Sequence, residues 1–201
     1  MSEIKVRLTL LEEMLGTCAS NKEIHEEFIA SKAPDALSRE EEVAAIGVDA
    51  EIEKSMTVFP KDENGNPFIW NYLIKGFFKD SCSALQRCKG EEMAKHSEKL
   101  KAYKKVIDGC IFVEPRRIPL NFTGNIGNCQ RPLRGQTAQG ERIALANSET
   151  VPAGTTMDIK IVTLSKEYDK MVIEWLNYGK FKGLGQWRNS GKGSFDYEIL
   201  K

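Results

Sequence analysis

The stretch IEWLNYGKFKGLGQWRNSGKGSFDYEIL, residues 173–200, decides the predicted fold more than any other part of the chain. It begins in a predicted helix over residues 166–179, whose apolar stripe includes Trp175 and Leu176. It ends in SFDYEIL, residues 194–200, where apolar and polar side chains alternate as they do in a strand. Between helix and strand, five glycines fall within seventeen residues: Gly179, Gly183, Gly185, Gly191 and Gly193.

The glycine-rich loop, residues 179–195, has a composition suited to binding phosphate groups. Glycine lacks a Cβ, so backbone N–H groups can approach an anion closely, and successive N–H groups can form an anion-binding nest. Trp187 offers an aromatic face on which an unpaired base can stack. The same composition also fits a mobile glycine hairpin with incidental lysines, and composition alone leaves both interpretations open. Four cations lie among the glycines: Lys180, Lys182, Arg188 and Lys192.

The spacing of the glycines excludes two common nucleotide-binding motifs. A P-loop needs GxxxxGK[ST], whereas Gly185 is followed six positions later by Gly191, without the Gly-Lys-Ser that the motif requires. A Rossmann fingerprint places its glycines after a strand and before a helix. In this chain the order is the reverse: helix, glycines, strand.

Composition excludes further classes of protein. With 201 residues, 41% hydrophobic and 29% charged, the chain has the balance of an ordinary globular protein. It contains no apolar run of about 18–20 residues and no signal-peptide core, so we expect a cytoplasmic protein without a membrane partner. The five cysteines form no CxxC pair, and the two histidines lack ligand spacing. The sequence therefore predicts no metal site and no cofactor.

The formal net charge is zero, but the charges are unevenly distributed along the chain. Residues 22–63 hold twelve acidic and five basic side chains, whereas residues 99–142 hold nine basic and three acidic ones. Such asymmetry indicates two surfaces of opposite charge. They are either ordinary solvated faces or a basic phosphate-binding face beside an acidic one. Charge alone makes candidates of four arginines: Arg116, Arg117, Arg131 and Arg134.

The rest of the chain is predicted to be a mixture of strands and helices. Residues 3–11 alternate apolar with charged side chains, which indicates a half-buried strand. Residues 68–87 place Phe77 and Phe78 at helical spacing, so we expect these rings, like Trp175, to belong to the core. The other predicted elements are two acidic helices in an insertion at 21–56, a short strand at 56–60, a charged helix at 91–105, a strand at 106–115, an irregular basic loop at 121–140 and two strands around Pro152–Gly154.

The order of helix, glycine-rich loop and strand resembles the RAMP superfamily of RNA-binding proteins in CRISPR systems, whose loops are of the type GxLGxxxSxGxGxF. Here Gly183-Leu184-Gly185, Ser190-Gly191-Lys192-Gly193 and Phe195 lie in the corresponding segment. Three further stretches agree with the family in the same order along the chain: RLTLLEEMLGTCASN at 7–21, FPKDENGNPFIWNYLIKGFFKDSC at 59–82 and SETVPAGTTMDIKIVTL at 148–164.

This resemblance implies an α+β fold over a single domain, residues 1–201. The expected core is a ferredoxin-like or RRM-like βαββαβ antiparallel sheet, with the helical insertion at 21–56 and the glycine-rich loop near the C-terminus. The implied function is that of a structural subunit of a CRISPR-type ribonucleoprotein in antiviral defence. It would grip the backbone of a guide RNA and oligomerise along it with other effector subunits.

The resemblance also implies which residues contact RNA. Lys75 and Lys79 on the predicted first helix would contact phosphates, as would the cations of the loop, assisted by Ser190 and the loop amides. Together with the four candidate arginines, the predicted RNA-binding set comprises Lys75, Lys79, Arg116, Arg117, Arg131, Arg134, Lys180, Lys182, Gly183, Gly185, Trp187, Arg188, Ser190, Gly191, Lys192 and Gly193.

Two alternatives stay open on the sequence. One is a metal-independent endoribonuclease of the same superfamily, for which Asp35, Asp49 and His25 are the candidate catalytic residues. Each lies in an acidic helical pattern where solvated side chains are ordinary, so we predict no catalysis. The other alternative is a virus-borne or plasmid-borne module that acts on such a complex through protein contacts.

Overall fold

The computed structural model describes residues 1–19, 56–137 and 140–201, and for residues 133–137 and 140–145 it describes the backbone alone. The chain divides into two compact units, and each is presented by itself. The single domain predicted over residues 1–201 stays a prediction. The first unit holds residues 1–14, 69–123 and 152–201, and the second comprises the described residues within 15–68 and 124–151.

The described elements follow one another in a mixed α+β order, as the sequence predicted. The strands are β1 (Ser2–Leu10), β2 (Met14–Leu15), β3 (Cys18–Ala19), β4 (Met56–Val58), β5 (Phe68–Trp70), β6 (Ile111–Glu114), β7 (Arg117–Pro119), β8 (Gly127–Thr137), β9 (Gly140–Val151), β10 (Thr156–Thr163) and β11 (Phe195–Leu200). The helices are α1 (Asn71–Leu85), α2 (Tyr103–Cys110) and α3 (Glu167–Tyr178). The predicted insertion at 21–56 lies outside the described residues, except for Met56.

A four-stranded antiparallel sheet forms the centre of the first unit, in the order β11, β1, β10, β6. The alternation seen in the sequence determines which face of β1 is buried, because successive side chains of a strand point to opposite faces. Val6 and Leu8 are fully buried, while Arg7 between them reaches solvent. Strand β1 therefore presents its apolar side to the core, as predicted.

Helices α1 and α3 supply the aromatic side chains of this core. Phe77 and Phe78 are buried on α1, and Trp175 is buried on α3, which confirms their prediction as core residues. The ring of Phe78 lies 5.3 Å from that of Trp175, and the ring of Phe77 lies 5.1 Å from that of Phe195. Burial also raises the pKa of the Cys82 thiol on α1 to about 11, so this thiol stays protonated at neutral pH.

The second unit is built on the long hairpin of β8 and β9. Strand β9 also pairs in parallel with β4, which pairs with β3. Glu149 on β9 also binds the segment that follows β4. Its carboxylate accepts a hydrogen bond from the Phe59 amide at 2.8 Å and one from Lys61 Nζ at 3.0 Å.

The predicted irregular loop at 121–140 was wrong over residues 127–137, which form β8. This segment contains Gly127, Asn128, Pro132 and Gly135, which belong to residue types that are depleted in strands. Pairing with β9 over eleven positions, from Gly127 opposite Thr150 to Thr137 opposite Gly140, overrides that local preference. Gly127 also lies so close to Thr150 that a Cβ there would approach its Oγ1 within 2.6 Å.

The predicted helix at 91–105 was also wrong, and the predicted strand at 106–115 is confirmed only over Ile111–Glu114. Short 3-10 turns occupy Glu92–Ala94 and Ser97–Lys99, helix α2 begins at Tyr103, and the strand begins only at Ile111. A buried carboxylate on α3 explains the break. Glu174 accepts hydrogen bonds from the backbone amides of His96 and Ser97, both at 2.8 Å, and from the Ser97 hydroxyl at 2.6 Å. Amides bonded this way cannot continue a helix.

Replacing Glu174 by glutamine is expected to lower the free energy of unfolding by about 2 kcal/mol. Glutamine keeps the size of the side chain but loses the charge that strengthens these hydrogen bonds. Its amide nitrogen is a donor, so it cannot accept the hydrogen bonds that one carboxylate oxygen now accepts. Urea denaturation checks the value. Glu167→Gln, at an exposed position of the same helix, is the matched control and is expected to change stability by less than about 0.5 kcal/mol.

Candidate nucleic-acid interface

The glycine-rich loop connects α3 to β11 and is folded back on itself. Gly183 and Gly193 touch through their backbones, so that a Cβ on Gly183 would lie 1.9 Å from the Gly193 carbonyl carbon. The Leu184 amide donates to the Gly193 carbonyl at 2.9 Å, and the side chain of Leu184 is buried. The Gly193 amide donates in turn to the carbonyl of Glu13 at 2.8 Å. These contacts fix the base of the loop against the end of β1.

Several amides of the predicted nest are already engaged within the protein, and the nest itself stays a prediction. The amides of Leu184, Gly193 and Phe195 are bonded to backbone carbonyls, and so are those of Ser190, Gly191 and Ser194. Gly183 and Gly193 are buried rather than presented to solvent. Because these glycines permit a close approach within the protein, their sequence signal was structural, and whether they contact RNA stays a prediction.

Carboxylates accompany three of the four loop cations. Nη1 of Arg188 lies 2.7 Å from Oδ2 of Asp80 on α1. The other two pairs join Lys192 Nζ to Glu13 Oε1 at 2.7 Å and Lys180 Nζ to Asp196 Oδ2 at 3.2 Å. The loop is thus less positive than its own sequence indicates, since its counter-charges come from elsewhere in the chain. Lys182 forms no ion pair with any residue that the structure describes.

Two aromatic side chains project from the loop. Trp187 is 44% exposed and adopts a left-handed backbone conformation, with φ of +54°. The Trp187 carbonyl accepts hydrogen bonds from the amide of Ser190 at 3.0 Å and from its hydroxyl at 2.8 Å, which closes the 3-10 turn Arg188–Ser190. Phe181 is 69% exposed. Both residues therefore reach solvent, and the stacking of a base on Trp187 stays a prediction.

The predicted phosphate contacts on α1 are engaged with α2. Nζ of Lys79 lies 2.6 Å from Oδ1 of Asp108. Nζ of Lys75 donates to the Asp108 carbonyl at 3.1 Å and lies 5.1 Å from the centre of the Phe112 ring. Burial lowers the pKa of Lys75 below its ordinary value. Both lysines therefore connect two helices of the first unit, and their role in RNA binding stays a prediction.

Two of the four candidate arginines belong to the first unit and two to the second. Arg116 and Arg117 lie over the ring of Trp70, with guanidinium carbons 5.2 Å and 5.8 Å from the ring centre. Arg131 belongs to β8 in the second unit, where it pairs with Ala146. The side chain of Arg134 lies outside the described residues. The stacked pair at Trp70 is a cation–π arrangement that the run of charge in the sequence did not reveal.

The outer face of the four-stranded sheet is covered by ion pairs. Arg7 contacts Asp158 at 2.7 Å and Glu198 at 3.8 Å, and the hydrogen bond from Arg7 lowers the pKa of Asp158. Lys160 contacts Glu114 at 2.7 Å. Charged side chains that are engaged with one another thus occupy the central strands of this face, whereas RRM sheets stack bases on aromatic side chains.

Sequence reasoning missed several residues of this region. Phe181 had a signal in the alternation Lys-Phe-Lys beside the glycines, a pattern of aromatic and cationic residues typical of single-strand binding. Asp80, Asp108 and Glu13 had none, because their partners lie far away in the sequence. A distance of 108 residues separates Asp80 from Arg188.

Two further observations concern the described part of the chain. None of its helices combines the length and the apolar character needed to cross a membrane. Within the same residues, no three side chains of His, Cys, Asp or Glu come together as metal ligands. Asp35, Asp49 and His25, the candidates for catalysis, lie outside the described residues.

Comparisons by sequence find no matching family model and no matching curated protein. Comparison with solved structures finds a chain from the cryo-EM structure of the Type III-B Cmr-beta bound to cognate target RNA. The TM-score is 0.52 at 13% sequence identity. The fold of this chain is thus similar to that of the Cmr-beta chain. The likeness covers 99% of this chain and 60% of that one, so this chain spans about three fifths of its length, and at such low identity the likeness concerns the fold alone.

Proposed function

We propose that this protein is a structural RNA-binding subunit of a CRISPR-type ribonucleoprotein effector. In this proposal it holds the guide RNA and oligomerises along it with other subunits, as a member of the RAMP superfamily. The Cmr neighbour was solved with target RNA, which supports RNA and effector subunits as partners.

The topology of the first unit supports a ferredoxin-like core. Along the chain its elements run β1, α1, β6, β10, α3, β11, which is βαββαβ once the intervening segments are set aside. The order β11, β1, β10, β6, with antiparallel neighbours, corresponds to 4-1-3-2 in the numbering of those four strands. This correspondence supports the proposed ferredoxin-like arrangement.

The observation that carries the proposed RNA contact is the pair of exposed aromatics on an anchored loop. Phe181 and Trp187 expose apolar rings beside Lys182 and Arg188, and the backbone beneath them is held by hydrogen bonds. Aromatic faces beside cations bind unpaired nucleotides of any sequence, with about 1–3 kcal/mol for each stacked base. In this proposal side chains, and not bare amides, hold the RNA, and the protein acts without catalysis.

The salt dependence of binding tests this proposal. Filter binding with a labelled, unstructured RNA is expected to show affinity that falls with salt and rises with RNA length. Lys182→Ala is expected to reduce the slope of log affinity against log salt by about 0.7, the value for one phosphate contact on a single strand. Lys5→Ala, on the outer face of the sheet, is the matched control and should leave the slope unchanged.

The same samples report on catalysis and on the proposal as a whole. RNA recovered from the binding reactions is expected at full length, whereas shortened RNA would favour the endoribonuclease alternative. Absence of RNA affinity at low salt would overturn the proposed function. If the protein instead recovered effector subunits after nuclease treatment and bound no RNA, the interaction-module alternative would replace it.

A further inference from the structure

The side chain of Arg188 is held in place by a carboxylate from a different element. Its Nη1 donates to Oδ2 of Asp80 on α1 at 2.7 Å. The Arg188 side chain is 32% exposed and that of Asp80 is 41% exposed, so the pair reaches solvent. The guanidinium therefore lies at the surface with its direction set by α1.

Geometry leaves this guanidinium able to bind a second anion. A guanidinium carries five N–H donors in a planar fork, and the hydrogen bond to Asp80 is made through Nη1 alone. The remaining edge of such a fork matches the spacing of phosphate oxygens. Arg188 also follows Trp187 directly in the sequence, so the proposed stacked base and the proposed phosphate contact belong to one short stretch of the loop.

We propose that Asp80 is a positioning residue for RNA binding, which orients Arg188 toward a backbone phosphate. The inference rests on the proposed function and deepens it by naming a residue that acts through another. Exposed ion pairs contribute little to the free energy of unfolding, so the stability of the fold does not depend on this pair. Asp80 would therefore influence binding more than folding.

Two effects of Asp80 on phosphate binding oppose each other. When Asp80 already orders the Arg188 side chain, RNA binding does not have to immobilise it. For a long side chain, this saving in conformational entropy raises affinity by about 2- to 10-fold. The carboxylate also repels a phosphate, but the guanidinium would lie between the two anions, and water screens charges at an exposed site. The ordering effect is the larger, so removing Asp80 should weaken binding.

Two substitutions of Asp80 distinguish whether its carboxylate orients Arg188 for RNA or instead neutralises Arg188 and weakens RNA binding. Fluorescence anisotropy is measured at low salt with a labelled oligouridine of about 20 nucleotides, long enough to occupy a single-strand site of the usual size. Asp80→Ala, which loses the acceptor, is expected to bind about 3- to 10-fold more weakly than the natural protein. Asp80→Asn keeps an acceptor oxygen in the same place and is expected to bind within about 2-fold of the natural protein or more tightly.

Further variants make the result specific. In an Arg188→Ala background, Asp80→Ala is expected to cause no additional loss, because the positioned group is already absent. Asp158→Ala is the matched control, since Asp158 pairs with Arg7 at the same 2.7 Å on the outer face of the sheet, and RNA affinity should not change.

The outcomes distinguish the inference from the proposed function. A natural protein without RNA affinity overturns both. If the natural protein binds RNA, two results would overturn the inference alone. The first is an affinity of Asp80→Ala equal to that of the natural protein, and the second is tighter binding by both Asp80 variants. The second result would mean that Asp80 masks Arg188.

Discussion

Trp187→Ala is expected to weaken the binding of single-stranded RNA by about 5-fold or more. The value follows from the loss of one stacked base, which contributes about 1–3 kcal/mol and therefore about 5- to 150-fold in affinity. Trp187 is suited to this role because its ring is 44% exposed while its backbone is fixed in the turn that precedes Ser190. Anisotropy titration with labelled oligouridine measures the effect.

Two variants make this result specific to stacking at the loop. Trp187→Phe keeps an aromatic face and is expected to retain affinity within about 3-fold. Phe112→Ala removes a ring of similar exposure, 41%, from the edge strand β6, and RNA binding should be unaffected. Natural affinity in Trp187→Ala, with the protein folded by circular dichroism, would remove this tryptophan from the proposed interface.

Gly183→Ala is expected to destabilise the first unit by about 3 kcal/mol or more. The added Cβ would lie 1.9 Å from the Gly193 carbonyl carbon and 2.0 Å from its oxygen. Overpacking against side chains typically costs about 1–3 kcal/mol because they can move aside. Here the neighbour is backbone, and Gly193 is itself held by hydrogen bonds to Leu184 and Glu13, so relaxation must open the loop. Urea denaturation measures the change.

Other glycines of the chain provide the controls. Gly76→Ala, in α1 with open space around the added Cβ, is expected to raise stability by about 0.5–1 kcal/mol. Gly191 lies in the same loop with open space around the added Cβ, but its φ is +85°. Gly191→Ala is therefore expected to lower the free energy of unfolding by only about 1–2 kcal/mol, the cost of placing a Cβ in the left-handed region. A Gly183→Ala protein as stable as Gly191→Ala would show that the close approach at Gly183 relaxes easily.

The loop glycines have a structural role that their sequence pattern did not reveal. From the sequence, five glycines beside lysines indicated amides presented to phosphate. In the structure, Gly183 and Gly193 serve the contact between two backbone segments, and the exposed side chains of the loop include Trp187 and Phe181. The glycines hold the loop in the shape that exposes these side chains, which is a structural contribution to the proposed binding.

The sequence by itself determined the elements whose signal is local. Strand β1 was predicted because Val6, Leu8 and Leu10 alternate with polar residues, and side-chain direction in a strand has a period of two. Helix α3 and strand β11 were predicted for the same kind of reason, from helical and alternating spacing on either side of the glycines. These periodicities require no knowledge of the rest of the chain.

Only the tertiary structure decided the features that depend on distant partners. Strand β8 exists because β9 pairs with it, and the break before α2 exists because Glu174 binds the amides of His96 and Ser97. The charge of the loop was likewise decided by Asp80 and Glu13, far from it in sequence. Hydrogen bonds and ion pairs act through space over a few ångströms, so a pattern read along the chain cannot reveal which groups will meet.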